Sequence, residues 1–146
     1  AVAESLHNLA GIELLTGETA AARAMYERAL AIHEKAGGPE HPDVAYHLTA
    51  LAEVALAERR PAEAIPLAER AIKIRGRGEI RGGLLAQSNF RLAQALWAAP
   101  TDQGGDQGRA LALARECREA LREATDEALR AEVDAFLALH AGAAPR

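Results

Sequence analysis

Aromatic side chains are scarce in this sequence: one Trp, two Tyr and two Phe among 146 residues. Hydrophobic residues reach 49% while aromatics stay at 3%, so the apolar content is mainly Ala and Leu. Those side chains favour close-packed helices over strands, whose surfaces prefer β-branched and aromatic residues. Cysteine occurs once, at Cys117, which excludes an internal disulfide. Its neighbours Ala114 and Leu121 suggest a small buried side chain of a helix, and a reducing, cytoplasmic setting is the expectation. A basic excess is also lacking. A net charge of -4 and a pI near 5.7 argue against a phosphate-binding surface, so nucleic acid is not an expected partner and a mildly basic or neutral peptide fits better. No run of eighteen apolar residues and no basic-then-apolar leader occurs, so neither a membrane span nor a signal peptide is expected.

What the chain does contain is a repeat. Adding forty-two to a position brings Leu6 onto Leu48, Leu9-Ala10 onto Leu51-Ala52, Ala22 onto Ala64, and Glu27-Arg28-Ala29 onto Glu69-Arg70-Ala71. A period of that length means stacked helical hairpins, each too small to bury its apolar face alone. At this chain length a single domain buries roughly 70% of the surface its unfolded form exposes, so nothing requires a second one. Ala1 aligns with Asp43, inside a repeat linker, and from this the sequence is expected to be a fragment of a longer protein. The outward face of its first helix, including Leu6 and Leu14, is then expected to lack a neighbour and to form self-contacts.

Apolar residues at helical spacing predict a helix from Val2 to about Leu15, a stop at Thr16-Gly17, and a second helix to about Lys35, giving repeat one over about 2–36. So short a turn makes the two helices antiparallel. Gly37-Gly38-Pro39 breaks the chain and His41-Pro42-Asp43 restarts it, with Asp43 expected to cap the next helix. Repeat two covers about 44–75, with Pro61 at the start of its second helix. Arg75 to Gly83, RGRGEIRGG, reads as a basic connector. Repeat three follows over about 84–122, interrupted by a polar, Gly-rich insertion at 98–107 that is expected to be a mobile loop. A closing helix over about 125–140, started at Thr125 beside Asp126 and Glu127, lays Leu129, Val133, Phe136 and Leu137 over the third unit, and AGAAPR is left as a frayed tail.

The positions Leu6, Leu9, Ala10, Ala22, Tyr26 and Ala29 with their mates resemble the tetratricopeptide repeat, and the GGPEHPDVA linker with the forty-two-residue period is similar to its kinesin-light-chain type. The sequence departs from the family where an aromatic is preferred, at Glu13 and Ala55, and where the turn glycine of repeat one becomes Arg59 in repeat two. The resemblance implies an all-α, right-handed superhelix of about three hairpins plus a C-terminal capping helix. FRLAQALW and AEVDAFLALH further resemble the C-terminal region of bacterial serine/threonine kinases that carry such repeats.

Reactive constellations are wanting. His41-Pro42-Asp43 spells the loop tripeptide of J-domain co-chaperones but lies in a repeat linker. His41, Asp43 and His47 could approach one metal only with a further ligand that the sequence does not supply, so no metal and no cofactor are expected. His7, His33 and His140 are scattered, no Ser or Cys is paired with a base by spacing, and RGRGEIRGG lacks the Lys-Ser/Thr ending of a phosphate loop. This stretch of chain is therefore not expected to be an enzyme.

In the family it resembles, the first helix of each hairpin lines a concave groove that docks a peptide or protein. Carried over by the Leu-Ala steps, the groove positions are Glu4, His7, Asn8 and Gly11, then Tyr46, Thr49, Ala50 and Glu53, then Gln87, Phe90, Arg91 and Gln94. Tyr46 and Phe90 are the expected aromatic anchors, and Asn8 and Arg91 the expected hydrogen-bonding groups. The Lys and Asn pattern that clamps a terminal carboxylate is missing. The resemblance implies a scaffold module of a larger bacterial signalling protein, with small-molecule sensing or regulation of an attached kinase in cis as the alternative.

Overall fold

The computed structural model of the protein describes residues 1–76, 82–123 and 126–142. Over these residues the chain is all-α: α1 (Val2–Leu15), α2 (Thr19–Gly37), α3 (Pro42–Ala57), α4 (Pro61–Arg75), α5 (Gly82–Ala98), α6 (Gln107–Ala120) and α7 (Glu127–His140), with one short 3-10 turn at Thr101–Gln103. α1 with α2, α3 with α4, and α5 with α6 form the hairpins; α2 packs on α3, α4 on α5, and α7 closes over α6. The hairpins pile into a superhelix, as the repeat predicts.

Small side chains at recurring positions make this stacking close. Ala10, Ala52 and Ala93 on the first helices, and Ala22, Ala64 and Ala110 on the second, have no exposed surface, which lets paired helices approach to short interaxial distances. Cys117 falls at the place of Ala29 and Ala71, buried, with its thiol reaching Ala86 O at 3.4 Å. Burial pushes that thiol up to about 12, so it is a packed side chain rather than a nucleophile. α7 is seated by an aromatic layer: the Phe136 ring meets Phe90 edge-on at 5.7 Å and Trp97 at 6.0 Å.

The turns differ from one another. Gly17 closes the first at φ 87°. The insertion of the third hairpin, expected to be mobile, is a closed turn: Gly105 N–H donates to Pro100 O and Asp106 N–H to Leu96 O, each at 2.9 Å. Asp106 then caps α6 by accepting from Arg109 N–H at 2.9 Å.

Two caps move by a residue or two. The N-cap of α3 is His41 rather than Asp43; its ring Nδ1 accepts from Asp43 N–H at 3.2 Å, and Asp43 sits in the first turn. The N-cap of α7 is Asp126, accepting from Leu129 N–H at 3.0 Å, while Thr125 lies outside the described residues. Residues 77–81 of the basic connector and 143–146 of the tail also lie outside them. Arg75, where the sequence reading has repeat two end and the connector begin, ends α4 and is buried.

Leu6 and Leu14, expected on the outward face of α1, are half-buried. Of the exposed large apolar side chains of α1, which are Val2, Leu9, Ile12 and Leu15, the first three share a face at helical spacing. Their repeat mates Val44, Leu51 and Val54 are buried under the preceding hairpin. Ion pairs stitch each unit to the next. Arg23 reaches Glu58 at 2.6 Å and Glu63 at 2.7 Å, and Arg70 reaches Glu34 at 2.6 Å; Arg91 reaches back to Glu53 at 2.7 Å and forward to Glu132 of α7 at 2.9 Å. The hydrogen bond to Arg23 holds the Glu58 carboxyl below the usual carboxylate range.

Candidate functional site: an inner trough across the first helices

Because α1, α3 and α5 occupy equivalent places in successive hairpins, the same face of each turns inward. Three hollows lie along that face. The first, about 250 Å³, is lined by Glu4, His7, Asn8 and Tyr46 together with His33, Asp43 and His47. The second, about 60 Å³, shares His7 and Tyr46 with it and adds Tyr26, Thr49, Ala50, Glu53 and Gln87. The third, about 240 Å³, shares Glu53 with the second and adds Leu56, Arg91 and Gln94. Shared walls make them one trough.

The twelve positions carried over from the family thus fall unequally. Glu4, His7, Asn8, Tyr46, Glu53, Gln87, Arg91 and Gln94 border the trough with accessible surface, whereas Thr49 and Ala50 are 2% and 6% exposed and form its floor. Gly11 stands behind Tyr26, whose phenol oxygen would lie 3.6 Å from a Cβ placed there. Phe90 is corrected outright: it has no exposed surface, because α7 lays Phe136 across it. Of the two expected anchors only Tyr46, 45% exposed, is open to a partner. Arg91 is likewise committed, bridging Glu53 and Glu132; burial works against its charge, but those two carboxylates outweigh it and raise its pKa.

Sequence spacing did not disclose that two of the scattered histidines, His7 and His33, meet at His47. His7 Nδ1 lies 3.0 Å from His47 Nδ1, and His47 Nε2 lies 2.9 Å from His33 Nδ1. His47 is 1% exposed, and the His7 ring stacks on Tyr46 with centroids 4.2 Å apart. Burial, reinforced by the charges of His7 and His33, pushes His47 down to about 4; burial and then His33 lower His7 as well. Both rings are therefore neutral at pH 7. Tyr26, against the same trough, is pushed up to about 12 by burial and then by Glu53. The signal that could have found this cluster is the repeat register, which places position 33 at the end of one hairpin and 47 near the start of the next.

The metal constellation considered from sequence does not assemble. Both ring nitrogens of His47 are engaged by imidazoles, while His41 Nδ1 faces Asp43. Among the described residues no three His, Cys, Asp or Glu side chains are grouped as metal ligands. No helix there is long and apolar enough to cross a membrane.

A stack of helical hairpins with an open inner face defines the class of helical-repeat scaffolds. The tetratricopeptide repeat family model matches residues 1–77, more than half of the chain, and the protein belongs to that family. Such repeats are typically non-catalytic and generally mediate protein–protein interactions. No curated protein matches the chain.

Proposed function

We propose that this domain is a non-catalytic interaction module that holds an extended or helical segment of a partner protein along the inner trough. The observation that carries the reading is the continuity of the trough across α1, α3 and α5, with Tyr46 exposed at its centre and amide side chains at Asn8, Gln87 and Gln94 beside it. Glu4, Asp43 and Glu53 border it, and the guanidinium among its described lining, Arg91, is already held between Glu53 and Glu132. A neutral to basic segment rich in hydrogen-bonding groups is the complementary partner. Each hollow is smaller than the 300–1,000 Å³ typical of small-molecule pockets, and their end-to-end arrangement suits a chain better than a compact metabolite.

In this reading the domain is of the kinesin-light-chain type and works in the cytoplasm as part of a larger bacterial signalling protein. FRLAQALW and AEVDAFLALH support an attached serine/threonine kinase. The exposed Val2, Leu9 and Ile12 support self-association of two copies through α1, since the repeat mates of all three are covered by a helix. Light scattering that finds a strict monomer at high concentration rejects that part.

Peptides selected from a displayed library against the folded domain test the main reading. Their affinity should fall at least tenfold in Tyr46→Ala and in the double variant Gln87→Ala/Gln94→Ala, and stay unchanged in Lys73→Ala, an exposed position on α4. Equal affinity for all variants places the binding surface elsewhere.

A further inference from the structure

Three positions recur at every seam between units: one on the first helix of a hairpin, one within about a turn of the end of its second helix, and one in the first two turns of the next first helix. At the first seam they are His7, His33 and His47; at the second, Thr49, Arg75 and Ser88; at the third, Phe90, Leu121 and Leu129. The connectivity is the same in the first two. Just as His47 bonds both His33 and His7, Ser88 accepts from Arg75 Nη1 at 2.9 Å and meets Thr49 Oγ1 at 2.8 Å. The third set is apolar and sits in one core cluster. One architectural layer is thus filled three ways, and only the first filling is made of imidazoles, whose protonation changes which nitrogens donate and which accept.

The chemistry of three linked imidazoles limits how many protons the seam can hold. In the neutral chain each contact needs one N–H and one bare nitrogen. Either His33 donates to His47 and His47 to His7, or both directions reverse. One added proton is accommodated, because His47 as imidazolium donates to both neighbours. A second is not. If His7 and His33 both carry it, His47 would have to accept at both nitrogens, which a neutral imidazole cannot do. If His47 carries one of the two, an N–H faces an N–H at one contact, with like charges on rings about 5 Å apart.

We propose that the His7–His47–His33 chain is a proton-operated joint: it locks the first hairpin to the second at neutral pH and releases the inner side of that seam on mild acidification. The groups facing the chain set the range. From α1 there is Glu4; from α2, Tyr26; ahead of and within α3, His41, Asp43 and Tyr46; and from α4, Arg75, which interacts with Tyr46. Asp43 Oδ2, 4.0 Å from His33 Nδ1, favours the first proton. Burial resists it, as the lowered values of His7 and His47 indicate. The hydrogen bonds from Arg23 to Glu58, whose carboxyl they hold below the usual carboxylate range, survive such acidification. They leave the seam hinged on the side of α2 and α4 while the α1 side opens. The first hollow lies over this chain, so opening reshapes that end of the trough; this consequence alone rests on the reading of the trough as a binding surface.

The joint is tested without any partner, so its failure and that of the binding reading are distinguishable. Hydrogen exchange, corrected for the intrinsic pH dependence, is compared at pH 7.5 and 5.0 in the wild-type chain and in H7T/H33R/H47S, which installs the side chains of the second seam. Protection of α1 should fall at least tenfold in the wild type relative to α5 and α6, and should not fall in the variant. An equal fall in both, or none in the wild type, overturns the proposal. Should that variant fail to fold, H7F/H33L/H47L, with the side chains of the third seam, takes its place. Imidazole nitrogen spectra of the wild type give an answer that needs no variant. Alternating tautomers at pH 7.5, with the second proton entering as α1 loses protection, support the joint; three independent titrations with no change at α1 refute it.

Discussion

Arg59 holds in the second hairpin the place that Gly17 holds in the first, and both residues adopt a left-handed backbone, at φ 59° and 87°. The turn geometry is thus conserved between the two units although the residue suited to it is not. A side chain in that region clashes with its own backbone and costs about 1–2 kcal/mol, part of which a glycine returns as extra freedom of the unfolded chain. Arg59→Gly should therefore stabilise the domain by about 0.5–1 kcal/mol, read as a higher denaturant midpoint. An unchanged or lower midpoint would show that the Arg59 side chain contributes more than its backbone costs.

Gly105 is required for a different reason. A Cβ on it would lie 2.0 Å from Ala99 O and 2.9 Å from Pro100 O, both backbone atoms. Gly105→Ala must break the turn that carries the Gly105 and Asp106 N–H bonds, and the cap of α6 goes with it. A loss of about 3 kcal/mol is expected. Calorimetry of the variant beside Gly142→Ala, where a Cβ meets nothing within 4 Å, separates this from a general effect of removing glycine.

Stability should depend on pH through the buried histidines. Their folded pKa values lie below the free value of 6.5, with His47 near 4, so between those values the unfolded chain binds more protons than the folded one. Stability is then complete above about pH 6.5 and declines as pH falls toward 4, by at most about 3 kcal/mol for His47. Urea midpoints at pH 7.5, 6 and 5 should fall in that order, and the slope should flatten in H7T/H33R/H47S. A wild-type midpoint that does not move across this range would contradict the burial of His47.

Arg91 ties α3 to α7 through Glu53 and Glu132. Removing it in Arg91→Ala leaves the half-buried Glu53 carboxylate and the exposed Glu132 carboxylate without their shared partner, at a cost of about 1 kcal/mol. Exchange protection of α7 should fall first. Arg91→Lys should recover only part of it, since an ammonium does not reproduce the fixed fork of the guanidinium. Full recovery by Lys would mean that charge alone, without that geometry, holds the two helices.

The stack of hairpins was legible in the sequence because close helix packing tolerates only small side chains at set positions. Ala10, Ala52 and Ala93 therefore leave a periodic trace that survives loss of the usual turn glycine at Arg59. Register also says which side of a helix turns inward, and the trough we propose as the binding surface lies on that side. Register does not say how deep a side chain ends. Phe90 sits at the mate of Thr49 and His7, yet it is sealed because a helix some forty residues further along crosses it with Phe136.

By itself, then, the sequence determined the all-α architecture and its repeating helical hairpins, because these follow from local periodicity repeated along the chain. Only the tertiary structure decided that His7, His33 and His47 touch, that Arg91 is already spoken for, and that the insertion of the third hairpin closes into a turn. Each of these depends on distances between residues far apart in sequence, or on hydrogen bonds of backbone groups, and side-chain spacing along one helix records neither.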